Sequence, residues 1–469
     1  MEVAMSQSLP LRVRASVTRR RAIAWSTALS FLGAACGVRT PAPAGESASA
    51  QLKPGTIRYL HWDRPRDEVY QQVWDEFSAK HPGVKVELMT IPSGVSYLDK
   101  LTSMIVANDP PDIFALDRSQ LDPFVQQGAM ADLTPLVKRD AAKARWNDIL
   151  PSLQSQYTYE GKIVEFPNGP VNIGIFYNKD AFDRAGLKLP AESWTWDDLL
   201  ETARALTERT PGGDVVQWGL GWVNSFFEPW VWANGGEVYD KPFNMTKCLL
   251  DQPAAYNGIQ WYADLIHRRG VAPRQSQYQG FSVWEMFYKA PVRFPMVMSG
   301  SWRVPDIMKN AQFQWDVAPL PKGPAGTNGG ITWSGGTCIA RVSKVIEQSW
   351  ALTLFMWGPE RERQVVMQTG ANLRANLPNY ITTIKDPEVN RSLDRLAAAG
   401  TIPRNYGKVF FQALLSDRER PILPGYAAAD ASKALNAALN DIWEGNRGAA
   451  EALRAAVPVI NAALANRPA

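Results

Sequence analysis

Between Ile57 and Leu116 the sequence alternates strand patterns with helical ones. Ile57-Arg58-Tyr59-Leu60-His61 reads as a strand. From Asp67 onward Val69, Val73 and Phe77 recur at helical spacing, and Pro82-Gly83 ends that helix. Val84, Val86 and Leu88 alternate with Lys85 and Glu87, a second strand. Ser96 to Ala107 sets Leu98, Leu101, Met104 and Ile105 on one helical face. Asn108-Asp109-Pro110-Pro111 breaks the pattern before a third strand, Asp112 to Leu116. This β-α-β-α-β order calls for an α/β fold, a parallel sheet with right-handed crossovers. In such sheets ligands sit beyond the carboxyl ends of the strands. Trp62, Asp63 and Asp117 stand there.

The chain has 469 residues, too many for one compact core, so two lobes are expected. A second unit follows the first. Thr195 and Asp198 have capping-box spacing and open a helix through about Leu206. Asn234-Gly235-Gly236 is a turn, and Gln252 to His267 reads as another helix. Arg293 to Met298 is a short buried strand that ends in Ser299-Gly300-Ser301-Trp302. A Gly/Pro-rich loop then leads to Ile331 to Ala340, a strand interrupted by glycines, and the chain from Ala427 is alanine-rich and helical. Eighteen tryptophans are more than such a core needs, because cores are built mainly from Leu, Ile and Val.

The formal charge of +4 is local. Residues 1–35 hold five arginines and one glutamate, and the remainder balances at 45 basic and 45 acidic side chains. That balance removes the electrostatic footprint of a nucleic-acid binder. Thr18-Arg19-Arg20-Arg21 precedes an apolar stretch, Ala22 to Ala35, too short to span a bilayer, and Cys36 follows at once. The pattern resembles a lipoprotein export signal (residues 1–36) with a flexible linker over 37–54. Cys36 would carry the lipid and tie the chain to the outer face of the cytoplasmic membrane or leave it in the periplasm. Leu32 lies four residues before Cys36 where three is usual, and a plain secretory peptide is the alternative. The adjacent arginines also resemble a twin-arginine signal. Cys248 and Cys338 lie far apart with no zinc spacing. Such cysteines are most often unpaired and buried, although a disulfide stays open.

The stretch Val164 to Phe182, VEFPNGPVNIGIFYNKDAF, has a β-branched core with turn chemistry at one end and a polar break at the other. The residues alone allow an edge strand with a bulge or a strand that passes between lobes. The chain resembles the family 1 extracellular solute-binding proteins, the sugar-binding class of ABC importers. The resemblance rests on KHPGVKVELM, PPDIFALD, FPNGPVNIGIFYNKDAF, WTWDDLLETARAL, NGGEVYD, VMSGSW, APLPKG with the later GG, and VINAALAN, in that order. One departure stands at Leu373-Arg374-Ala375-Asn376, where the family usually has Leu-Pro. The resemblance implies a two-lobed periplasmic-binding-protein fold, class II-like, each lobe a mainly parallel sheet flanked by helices. Segments near Ile175 to Lys179, near Thr332 to Ile339 and after about Leu377 would cross between lobes. Residues 55–176 with 335–377 would form one lobe, and 177–334 with 378–469 the other.

Sugars offer flat C–H faces to aromatic rings and hydroxyls to carboxylates, amides and guanidinium groups. The candidates are Trp62, Asp63 and Asp117 from one lobe, and Asn168 at the mouth of the crossing. Trp222 and Trp230 follow in GWVNSFFEPWVWANGG, then Trp302 with Arg303, where the family's tryptophan stacks on ligand. Trp333 and Gly335 mark the return crossing, with Arg374 as a further candidate. Trp74, Trp261, Trp350 and Trp357 sit in helical patterns and read as core, Trp218 and Trp315 as strand packing. Trp232 could be either. Asp63 and Asp117 could merely cap helices. The expected function is capture of a mono- or oligosaccharide by a monomer that delivers it to ABC permease subunits. No cofactor, metal site or catalytic residue is expected, since GxSxG, HExxH and Walker motifs are missing from the sequence. A polyol-phosphate binder using Arg303 and Arg374 is the alternative. A glycoside hydrolase using Asp63 and Asp117 is a weaker one.

Overall fold

The computed structural model describes residues 51–61, 67–89, 91, 95–221, 226–278, 283–371 and 376–466. Cys36, Trp62, Asp63, Trp222 and Arg374 lie outside the described residues, as do the export segment and linker up to residue 50.

Strands β1 (Gly55–Leu60), β2 (Val84–Leu88) and β3 (Ile113–Asp117) form in the expected places. β1 pairs parallel with both others. The crossovers are helices Asp67–Lys80 and Tyr97–Val106, the second capped by Ser96, whose hydroxyl accepts from the Asp99 N–H. The first helix buries Tyr70, Val73, Trp74 and Phe77, a stripe set by the sequence period.

The questioned stretch becomes β4 (Phe166–Asn178), thirteen residues buried throughout. Its neighbours are β5 (Met296–Gly300), β6 (Trp315–Ala318) and β7 (Ile331–Ile339), while β8 (Arg418–Glu419) pairs with β7. The sheet runs β6-β4-β7-β3-β1-β2, with β5 also on β4. β4 changes partners along its length. Phe166 to Asn172 pair with β7, whereas Ile173 to Asn178 pair with β5 and β6. β7 in turn pairs with β3. One strand therefore belongs to two groups of strands, and the apolar run Val171 to Phe176 suits a strand covered on both faces. Parallel pairing joins β1 to β2 and β3 and the short β8 to β7, whereas β5 and β6 run antiparallel to β4.

Two large cores flank this strand. One holds Ile57, Trp74, Phe166, Trp350, Trp357 and Phe410. The other holds Ile173, Trp196, Trp218, Trp230, Tyr262 and the inner faces of helices Gly425–Glu444 and Ala449–Ala465. The capping box forms as expected, with the Asp198 carboxylate accepting from the Thr195 N–H at 2.7 Å and the Thr195 hydroxyl accepting from the Asp198 N–H. Cys248 and Cys338 are both free thiols and buried, which closes the disulfide alternative.

Candidate functional site

The seam between β4, β7 and β3 is irregular at one row. Ser334 pairs with Pro170 and Gly336 with Pro167, so Asn168 and Gly169 together oppose the single residue Gly335. This is a β-bulge, and Gly169 supplies its special backbone with φ of 114°, a region reserved for glycine. The Gly169 carbonyl accepts from Asn376 Nδ2 at 3.2 Å and lies 2.8 Å from the Ser334 hydroxyl. Tyr157 donates to the Gly335 carbonyl at 2.8 Å. On its other side Gly335 is paired with Asp117, at the carboxyl end of β3. Three of the sequence candidates thus share one row. Asp117 and Gly335 are half-buried, but Asn168 is buried and offers no side-chain surface.

Two residues along β7 stands an aromatic wall. Trp333 and Trp302 meet edge to face at 5.5 Å, and Phe226 lies 5.5 Å from Trp333 and 6.2 Å from Trp302. Trp302 folds back over the end of β5: a Cβ at Gly300 would fall 1.7 Å from its ring. Gly300 is thereby required. Both indoles keep exposed surface. Against them the Arg420 guanidinium lies 5.2 Å from the Trp333 ring and 5.7 Å from Phe226, and its Nε donates to Glu228 at 3.1 Å. A cation over an indole ring, held in turn by a buried carboxylate, helps fix the wall's orientation.

Glu165, fully buried, directly precedes β4 and packs against Gly336 beside the bulge. Burial pushes its carboxyl up to about 8, against the pull of the Cys338 thiol, which donates to it at 3.3 Å, and of Arg118. A Cβ at Gly336 would come within 2.6 Å of Glu165 Cβ, so this glycine is set by packing.

Other candidates fall elsewhere. Trp230 is core, a correction to its placement at the site: it is 2% exposed and stacks on Tyr262 at 4.2 Å and Trp261 at 5.5 Å. Helix Glu228–Ala233 is short and buried all round, so its tryptophans had nowhere else to go. Trp232 is buried too, under Arg418. Arg303 turns to the Trp284 ring at 4.9 Å and to Asp306 at 3.7 Å, and burial lowers its pKa. Phe226, Glu228 and Arg420 were not singled out from sequence. Arg420 lies in DRER, which looks like a solvated charge run, and only its strand-like alternation with Arg418 could have exposed it.

Against known proteins, residues 62–356 match the family model of the bacterial extracellular solute-binding proteins. The chain belongs to that family. The melibiose/raffinose/stachyose-binding protein of Bacillus subtilis is 23% identical over 366 residues, 74% of this chain and 79% of that one. An ABC substrate-binding protein of Listeria monocytogenes in complex with cycloalternan superposes with a TM-score of 0.74. It is 21% identical and covers 88% of this chain and 100% of that one. The Mycobacterium tuberculosis protein UgpB in complex with glycerophosphocholine gives 0.70 at 20% identity, over 88% and 99%. At these identities the likeness is one of fold, that of two-domain periplasmic binding proteins.

Proposed function

We propose that this solute-binding protein captures a mono- or oligosaccharide between two lobes and hands it to the permease of an ABC importer. The observation that carries the reading is the Phe226–Trp302–Trp333 wall, braced by Arg420 and standing beside the bulged row with Asp117. Half-exposed indoles take the C–H face of a pyranose, and a carboxylate accepts from its hydroxyls. The relatives that bind melibiose, raffinose, stachyose and cycloalternan support the same class of ligand. Trp62, Asp63, Trp222 and Arg374 remain proposed members of the site. The lobes are 55–176 with 335–377 and 177–334 with 378–469, and the partner change in β4 at Asn172 and Ile173 supports the first crossing.

The polyol-phosphate reading keeps one support, the glycerophosphocholine-bound neighbour. It loses Arg303 as a ready clamp, since that guanidinium faces Trp284 and Asp306. A thermal-shift screen over mono-, di- and oligosaccharides and polyol phosphates separates the two. A ligand at 100 times its Kd adds about 2.7 kcal/mol to folding stability. A shift with sugars alone is expected; a shift with the phosphates alone overturns the sugar reading. Release of reducing ends from an oligosaccharide would instead make the protein a hydrolase. Lipidation at Cys36 is part of the same proposal, and Cys36→Ser should release the protein from membranes.

A further inference from the structure

A cavity of about 520 Å³ lies where the two cores meet, a volume within the range of about 300–1,000 Å³ common for small-molecule sites. Ile173 and Leu320 reach it from one core and Val409 from the other. It is separate from the aromatic wall. Arg418 and Arg420 reach Trp232 and Trp333, whereas Asp417 and Glu419 reach Asn172 and Ser155. Alternation along an extended strand puts these pairs on opposite faces.

The polar lining centres on Asp417. Its Oδ2 accepts from Asn172 Nδ2 at 2.8 Å, and Asn172, 1% exposed, also donates to the Phe410 carbonyl. Among the described residues no donor reaches Asp417 Oδ1. That oxygen occupies the space of a missing side chain, 2.0 Å from where a Cβ at Gly330 would stand. Amide side chains of Asn328, Asn405 and Gln412 add further acceptors. The other charged groups facing the cavity, Glu192 and Lys408, are exposed and paired with each other, so the net charge of the lining is that of Asp417. The floor is apolar.

We propose that this cavity is a second ligand site, taking a small aliphatic ammonium compound with its nitrogen on Asp417 and its carbon chain along Ile173, Leu320 and Val409. A carboxylate with one open oxygen suits a cationic donor, because burying such a charge unpaired is costly. Burial pushes the Asp417 carboxyl up to about 7, against the hydrogen bond from Asn172. The ammonium needs the ionised form, so its affinity falls as pH drops from 8 to 6.

The test is calorimetric titration of the full mature chain with n-pentylammonium chloride at pH 8, with 1-pentanol as the neutral isostere. Saturable one-to-one binding is expected, at least tenfold tighter than the alcohol, and weaker at pH 6. Asp417→Asn should lose at least tenfold in affinity. Gln412→Trp, a change at an exposed rim position, should block entry while leaving the fold intact. No saturable binding to the wild type, equal affinity for pentanol, or undiminished binding in either variant would overturn the proposal. None of these outcomes depends on whether the aromatic wall takes a sugar.

Discussion

Trp302 and Trp230 carry the same ring into opposite situations. Trp302 rests over Gly300 and stays partly exposed, while Trp230 is buried, stacked on Tyr262 and Trp261 and tilted against Trp196. Stacking on a sugar is worth very roughly 1–3 kcal/mol, so Trp302→Ala should weaken sugar binding by about one to two decades. Urea unfolding of the ligand-free variant should move little. Trp230→Ala should instead cost about 3–5 kcal/mol of stability, as large-to-small core changes do. Equal losses of stability in the two variants would place Trp302 in the core. Glu165 offers a second test at this scale. Its folded carboxyl sits at about 8 against an ordinary 4.5, so the folded chain holds a proton that the unfolded chain releases. Stability from this group is therefore greatest below about pH 4.5 and declines as pH rises toward about 8, with a slope of up to about 1.4 kcal/mol per pH unit. Glu165→Gln should flatten that decline by one proton's worth in urea titrations at pH 5, 6.5 and 8. Glu362, raised in the same direction by burial, contributes equally to both proteins. An unchanged slope would mean that Glu165 is ionised in the folded state.

At the scale of elements, β4 holds its register through a bulge that only glycine can make. Gly169→Ala forces φ of 114° on an L-residue, at a cost of about 1–3 kcal/mol. It should also lower sugar affinity, because Trp333 follows from the same pairing of β7 with β4. Wild-type stability and affinity in this variant would show that the bulge relaxes without consequence. The sequence was legible wherever a short-range period sets the structure. The alternation in Val84 to Leu88, the stripe through Trp74 and the Thr195 box depend on neighbours a few residues away. The same holds for the unusual density of Pro, Asn and Gly in 167–170, which marked an irregularity later resolved as the bulge. What pairs with β4 was not written locally: β5, β6 and β7 come from more than a hundred residues away. Trp230 was misplaced for the same reason, since its partners Trp196, Trp261 and Tyr262 lie in other helices. Arg420 was overlooked because its role depends on Glu228 and Trp333, both remote in sequence.

For the whole molecule, the proposed lobes should close on sugar, and the site's two halves should contribute differently. A ligand shifts an open–closed equilibrium only through contacts that are stronger in the closed form. Moving it from 1:99 to 99:1 takes about 5.5 kcal/mol of such difference. The aromatic wall lies on residues joined to β5 and β7, so it can hold a sugar in the open form. Asp117 ends β3, across the row, and would meet the sugar on closure. A hydrogen bond to a charged group is worth about 1.5–3 kcal/mol, enough to change the closing equilibrium by roughly tenfold or more. The wild type should therefore show a smaller radius of gyration by small-angle scattering once saturated with a sugar that raises its melting temperature. Trp302→Ala should need more sugar yet reach the same compact state. Asp117→Ala at saturation should stay measurably more open. A radius that does not change in the wild type would mean a rigid or already closed cleft. Full compaction of Asp117→Ala would remove Asp117 from the closing contacts and leave the aromatic wall to explain binding alone.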